Sequence, residues 1–162
     1  MITFSILTED RWEEYRDLRL EALQEEPLAY THSRDEEQVL PETHWRNGIK
    51  NVMFALADGK PVGMAGIFRS GYRKNNHIYE MWGVYVRKEY RGQGAGLKLI
   101  EATVAEIKSR ENARVIEVGV SETQKAAQHL YEKCGFEAVG HFKKYMCVDG
   151  KFYDALLMEK YL

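Results

Sequence analysis

The stretch Val84-Tyr85-Val86-Arg87-Lys88-Glu89-Tyr90-Arg91-Gly92-Gln93-Gly94-Ala95-Gly96-Leu97 constrains the fold of this chain more than any other. An aliphatic run ends, a short polar turn follows, and three glycines lead directly into a helix. Leu97, Ile100, Val104 and Ile107 give that helix one apolar face, to about Arg110. Glycine lets the backbone approach a ligand closely, and the first N–H groups of a helix have no intrahelical acceptor. Together they make an anion site, most often for phosphate.

Two common phosphate motifs fail here. A nucleotide-hydrolase P-loop closes on Gly-Lys-Ser/Thr, whereas Gly96 is followed by Leu97-Lys98, with no hydroxyl for magnesium. A dinucleotide fingerprint needs a glycine three residues after the second, and that position after Gly94 is Leu97. The loop alone leaves open a plain tight turn without a ligand.

The whole chain reads as one domain of 162 residues. Ile2–Leu7 is an edge strand. Thr8-Glu9-Asp10 precedes a helix with Trp12, Tyr15, Leu18, Arg19 and Ala22 on one face, ended by Pro27. Pro41 introduces a short helix, Glu42–Lys50. Val52–Ala57 and Val62–Phe68 form a hairpin over Asp58-Gly59, and a polar loop, Ser70–Asn76, precedes the long strand His77–Val86. After the glycine loop and its helix come a strand at Arg114–Val120 and a helix from Thr123 to Lys133, stopped by Cys134-Gly135. Strands at Glu137–Met146 and Lys151–Met158 flank the turn Asp149-Gly150. The order is that of an α/β mixed sheet with helices on both faces.

Arg91-x-x-Gly94-x-Gly96 after Val84-Tyr85-Val86, then Ala127-x-x-x-Tyr131-Glu132-Lys133-Cys134-Gly135-Phe136, resemble in order and spacing the two signatures of the GNAT superfamily of acyl-CoA-dependent N-acetyltransferases. The resemblance runs over roughly Val52–Met158. It implies a GNAT-like, centrally splayed β-sheet and acetyl-CoA as co-substrate. By that resemblance the backbone of Gln93, Gly94, Ala95 and Gly96, with Arg91 and Gly92 opening the loop, holds the pyrophosphate, and Arg87, Lys88 and Lys98 add positive charge nearby. The pantetheine arm lies between Val84-Tyr85-Val86 and the strand Val115–Val120. Gln124 and Ala127 line the cofactor, although Gln124 stands where the family often has Asn. Val86 N–H becomes a donor to the thioester oxygen, and Tyr131 protonates the departing thiolate.

An amine acceptor needs deprotonating, because its pKa is about 10. Glu80 is the candidate base: a carboxylate within Ile78-Tyr79-Glu80-Met81-Trp82 is costly unless used or paired, and a buried ion pair is the alternative. Strand alternation places it on the face of Trp82, Val84 and Val86, absent a bulge. Tyr30, Trp45, Tyr72, Tyr145, Phe152, Tyr153 and Asp154 are candidates for an acceptor pocket. His77 could also move protons.

The net charge of −2, from 23 basic and 25 acidic residues, shows no basic excess for nucleic acid. No window is long and apolar enough for a membrane span, and the first twenty residues lack a secretory pattern, so a cytoplasmic protein is expected. Cys134 and Cys147 have no disulfide or metal-ligand pattern, and no histidines have zinc spacing; no metal is expected. The expected function is transfer of acetyl from acetyl-CoA to a small-molecule or peptide amine by direct attack in a ternary complex, with no nucleic-acid or membrane partner. The resemblance also admits a homodimer. The alternative is a catalytically silent, CoA-binding sensor or scaffold.

Overall fold

The computed structural model describes all 162 residues. Its elements follow the order β1 (Ile2–Ile6), α1 (Trp12–Glu25), α2 (Arg34–Glu37), α3 (Glu42–Gly48), β2 (Val52–Ala57), β3 (Lys60–Arg69), β4 (Ile78–Val86), α4 (Ala95–Ser109), β5 (Val115–Ser121), α5 (Lys125–Lys133), β6 (Glu137–Val148) and β7 (Lys151–Tyr161). All seven expected strands form. Helix α2 was not anticipated; Ser33 and Glu36 cap it reciprocally.

The strands make one sheet in the order β1-β2-β3-β4-β5-β7-β6, antiparallel except for β4 and β5. That pair is parallel because α4 carries the chain back across the sheet before β5 begins. Pairing between β4 and β5 covers only Ile78–Glu80 against Val115–Glu117. Beyond Glu80 the two strands part, and each keeps its hydrogen bonds with its other neighbour, β3 or β7. The sheet is splayed at its centre.

Two apolar clusters hold the layers. Tyr15, Leu18, Ala22 and Trp45 from α1 and α3 pack on Val52, Phe54, Met64 and Tyr85 on one face of the sheet. Leu99, Ile100 and Ile107 of α4 and Tyr131 of α5 join Ala55, Ile67, Met81, Ile116 and Val118 on the other. Helices therefore cover both faces, but α1–α3 leave the β5, β7 and β6 side of their face without a helix over it.

On that uncovered face four carboxylates stand in register. Glu80 pairs across with Glu117, Glu117 with Glu159, and Glu159 with Glu137, so one rung of the sheet carries glutamate on four successive strands. None of the four forms an ion pair. Like charges directly opposite one another destabilise a sheet.

A bulge corrects the expected alternation along β4. Met64 lies opposite Tyr85 and Gly66 opposite Trp82, so Gly83 and Val84 together face Ala65 alone. Gly83 adopts φ +61°, which glycine tolerates at little cost. Glu80 and Trp82 consequently share the α1 face, while Val84 and Val86 pack with the opposite cluster.

Candidate active site

The loop before α4 has the form that its glycines suggested. Gly92 and Gly94 take φ +74° and +80°, and Gly94 is the N-cap. The backbone N–H groups of Gln93, Gly94, Ala95, Gly96 and Leu97 donate to nothing in the chain; the first N–H of the helix with a partner is that of Lys98, to Gly94 O at 3.1 Å. Five unpaired donors at one helix start, with its positive dipole end, form a cradle for an anion.

The cradle opens into a cleft of about 560 Å³ lined by Gly92, Gly94, Gly96, Val84, Val118 and Tyr131, among others. The cleft runs between the parted ends of β4 and β5. Arg87 N–H donates to Val62 O at 2.9 Å while Val86 sits opposite Gly63. In an antiparallel pair this pattern turns the peptide groups of Val86 away from β3, towards the cleft. Arg91 Nε donates to Val86 O at 2.6 Å and Tyr30 Oη to Val84 O at 2.9 Å, so both carbonyls are already held by side chains.

The sequence candidates distribute unevenly. Val84, Tyr85, Val86, Arg91, Gly92, Gly94, Gly96, Gln124, Ala127 and Tyr131 all line the cleft. Gln93 and Ala95 do not, and offer only backbone N–H. The Tyr85 hydroxyl points to α1, donating to Glu25 at 2.9 Å and Glu21 at 3.1 Å. Arg87, Lys88 and Arg91, expected near phosphate, pair within the chain with Glu21, Glu25 and Glu26 at the α1 end at 2.8, 3.6 and 2.8 Å.

Tyr131 is 4% exposed and its hydroxyl makes no hydrogen bond within the chain. Burial first, then Tyr30 and Cys134, push its pKa up and keep the phenol neutral. It is a donor without an acceptor at the wall of the cleft.

A second cavity, also of about 560 Å³, adjoins the first and holds Glu80, Arg19, His32, Tyr145 and Asp154. Ala29, Tyr30, Trp82, Gly83, Gly119 and Val120 line both, so they form the throat between them. The ion pair weighed for Glu80 is absent: its side chain is exposed, and partial desolvation with the facing Glu117 raises its pKa above the usual carboxylate range. Of the expected acceptor residues, Tyr30, Tyr145 and Asp154 reach this cavity. Trp45 does not; it is 1% exposed, edge-on to Tyr15 in the core. Tyr72 is 80% exposed on its loop, and Phe152, Tyr153 and His77 lie outside both cavities.

Sequence reasoning missed Arg19 as a site residue. It lies on the apolar face of α1, is 2% exposed, and is gripped by Glu37 through Nε at 2.9 Å and Nη2 at 2.7 Å. Its guanidinium lies 5.0 Å from the Tyr30 ring and 5.4 Å from that of Trp82, and its Nη1 is fully enclosed without a hydrogen-bond partner. An arginine on an apolar helix face was the available signal, since burying a charge demands a partner.

A model of the acetyltransferase (GNAT) family matches residues 7–136. The chain belongs to the GNAT acetyltransferase family. Solved structures repeat this acetyltransferase's fold over its whole length. A GNAT acetyltransferase from Streptococcus pneumoniae superposes with a TM-score of 0.90 at 22% identity, covering 100% of both chains. A ribosomal-protein-alanine N-acetyltransferase from Brucella melitensis gives 0.83 at 24%, covering 99% of each. The structure of yncA from Salmonella typhimurium with its cofactor acetyl-CoA gives 0.86 at 16%, covering 100% of this chain and 94% of that one. No helix of this acetyltransferase is long and apolar enough to cross a membrane.

Proposed function

We propose that this acetyltransferase uses acetyl-CoA and transfers the acetyl group to a primary amine by direct attack. One observation carries the reading: five unpaired N–H donors from Gln93 to Leu97 open into a cleft between parted strands, and that cleft joins a second cavity holding an unpaired acid. The residues fit the co-substrate. The donors suit a diphosphate, the gap between β4 and β5 suits an extended arm, and the Val86 N–H faces the gap.

Acetyl-CoA would supply an activated acyl carbon and a thiolate leaving group. Val86 N–H donates to the oxygen that gains charge as the amine adds. Glu80 takes a proton from the amine through water; its raised pKa makes it a better base than an ordinary carboxylate. Tyr131, whose hydroxyl has no other acceptor, gives a proton to the sulfur. The acceptor enters through the second cavity, where the unpaired carboxylate of Glu80 favours a cation.

The test is thermal unfolding with millimolar acetyl-CoA, followed by free-thiol release across a panel of amines. A ligand that binds only the folded state raises Tm, by about 2.7 kcal/mol of stability at a hundred times its Kd. We expect a rise in Tm and thiol release with at least one amine. No rise ends the cofactor assignment. A rise without thiol release from any amine favours a silent CoA-binding module.

A further inference from the structure

The throat between the cavities is where an amine must meet a thioester, and its six residues offer few polar groups. The Trp82 indole can only donate, and four of the six have no polar side-chain atom. Tyr30 is the exception. Its hydrogen is committed to Val84 O at 2.9 Å, so what its oxygen turns to the throat is a lone pair. Tyr131, a few residues away in space, has the opposite condition: its hydrogen is free. The two phenols have been given different roles by one hydrogen bond.

We propose that Tyr30 positions the attacking nitrogen, its hydroxyl oxygen accepting one N–H of the amine while the nitrogen lone pair faces the acetyl carbon. This rests on the acetyl-transfer reading above. The step balances for a primary amine. The nitrogen lone pair forms the N–C bond, and the C–S bond breaks with its electron pair going to sulfur. The attacking amine is the neutral form, its ammonium proton already lost to bulk water. As the N–C bond forms, one of its two N–H protons leaves through water to Glu80, the departing thiolate takes the Tyr131 proton, and the other N–H stays on Tyr30 and ends as the amide N–H.

The geometry that holds Tyr30 is built for this. The residue lies between α1 and α2, outside any regular element. What fixes its ring is the Arg19 guanidinium at 5.0 Å, itself locked by the two hydrogen bonds it donates to Glu37, together with the bond to Val84 O. The stack sets the plane of the phenol and the carbonyl sets the direction of its hydrogen, leaving one orientation for the lone pair.

A secondary amine loses its only N–H to the base and has none left for Tyr30. The test compares the best primary amine of the panel with its N-methyl derivative, by free-thiol release, in the wild type and in Tyr30→Phe. We expect kcat/KM for the primary amine to fall about tenfold in the variant, the size of one lost hydrogen bond. For the N-methyl amine it should stay within about twofold, and the acetyl-CoA-induced rise in Tm should persist. Equal losses for both amines would mean that Tyr30 only packs, and no loss for either would mean that it touches nothing; each overturns the proposal while leaving the transferase reading intact. Acetyl-CoA binding without turnover of any amine by the wild type would overturn that reading, and this one with it.

Discussion

Glu80 occupies an exposed position of its strand, yet partial desolvation and the facing carboxylate of Glu117 both oppose its charge. Its folded pKa is therefore above the value of about 4.3 found in an unfolded chain. A base must be deprotonated, so kcat/KM should rise with pH along a limb centred above the ordinary glutamate range. In Glu80→Gln that limb should vanish, and the rate at neutral pH should drop about 10²-fold. Tyr131→Phe should lower kcat, leave the limb where it is and leave the acetyl-CoA-induced Tm rise intact; thiol release from about pH 5 to 9 reads all three proteins. A limb retained in the glutamine variant would remove Glu80 from the chemistry. Glu80 was legible in the sequence because a lone acid in an apolar strand is conspicuous. The face it occupies was not, because the bulge at Gly83-Val84 arises from pairing with β3; the glycine in mid-strand was the only trace of it. Tyr30 was named for an acceptor pocket, but its place in the throat depends on Arg19 and Val84, which are far away in sequence.

The elements were more legible than the contacts between them. Asp58-Gly59 and Asp149-Gly150 take φ values of 49°, 77° and 49°, 76°, so both hairpins turn as their sequence suggested. Gly135 ends α5 at φ +83°. What the sequence hid is the partnership of α1 with the loop before α4, in which carboxylates from the end of one element neutralise the cations of another. The loop itself gives the sharpest test at this scale. A side chain at Gly94 meets nothing within 4 Å, so it projects into the open cleft, yet φ +80° strains any L-residue there. We expect Gly94→Glu to fold with a Tm lower by a few degrees and to lose the acetyl-CoA-induced rise, because bulk and negative charge occupy the cradle. A full rise in this variant would show that the diphosphate binds elsewhere.

At the scale of the whole molecule, the glutamate row across β4, β5, β7 and β6 opposes folding. The sign follows from the pKa shifts. Glu80 and Glu117 are both raised, the first by partial desolvation and Glu117, the second by partial desolvation and Glu159, so the folded state holds more protons than the unfolded one above about pH 4.3. Stability gained from protonating them is present at low pH and is lost as pH rises through their folded values. Glu37 behaves oppositely. Burial would raise it, but the hydrogen bonds and charge of Arg19, with His32, hold it below the usual range, and its contribution is lost as pH falls through that lowered value. Tm should therefore increase on mild acidification from neutrality and collapse only in stronger acid. Glu117→Gln should raise Tm at pH 7 by about 1–2 °C, on a cross-strand repulsion of about 0.5 kcal/mol, and flatten the gain on acidification. An unchanged or lower Tm in calorimetry would show that solvent already screens the row. Because Glu80 belongs both to this row and to the second cavity, one titration governs endurance and speed in opposite directions: the buffer in which the enzyme keeps longest is one in which it works least.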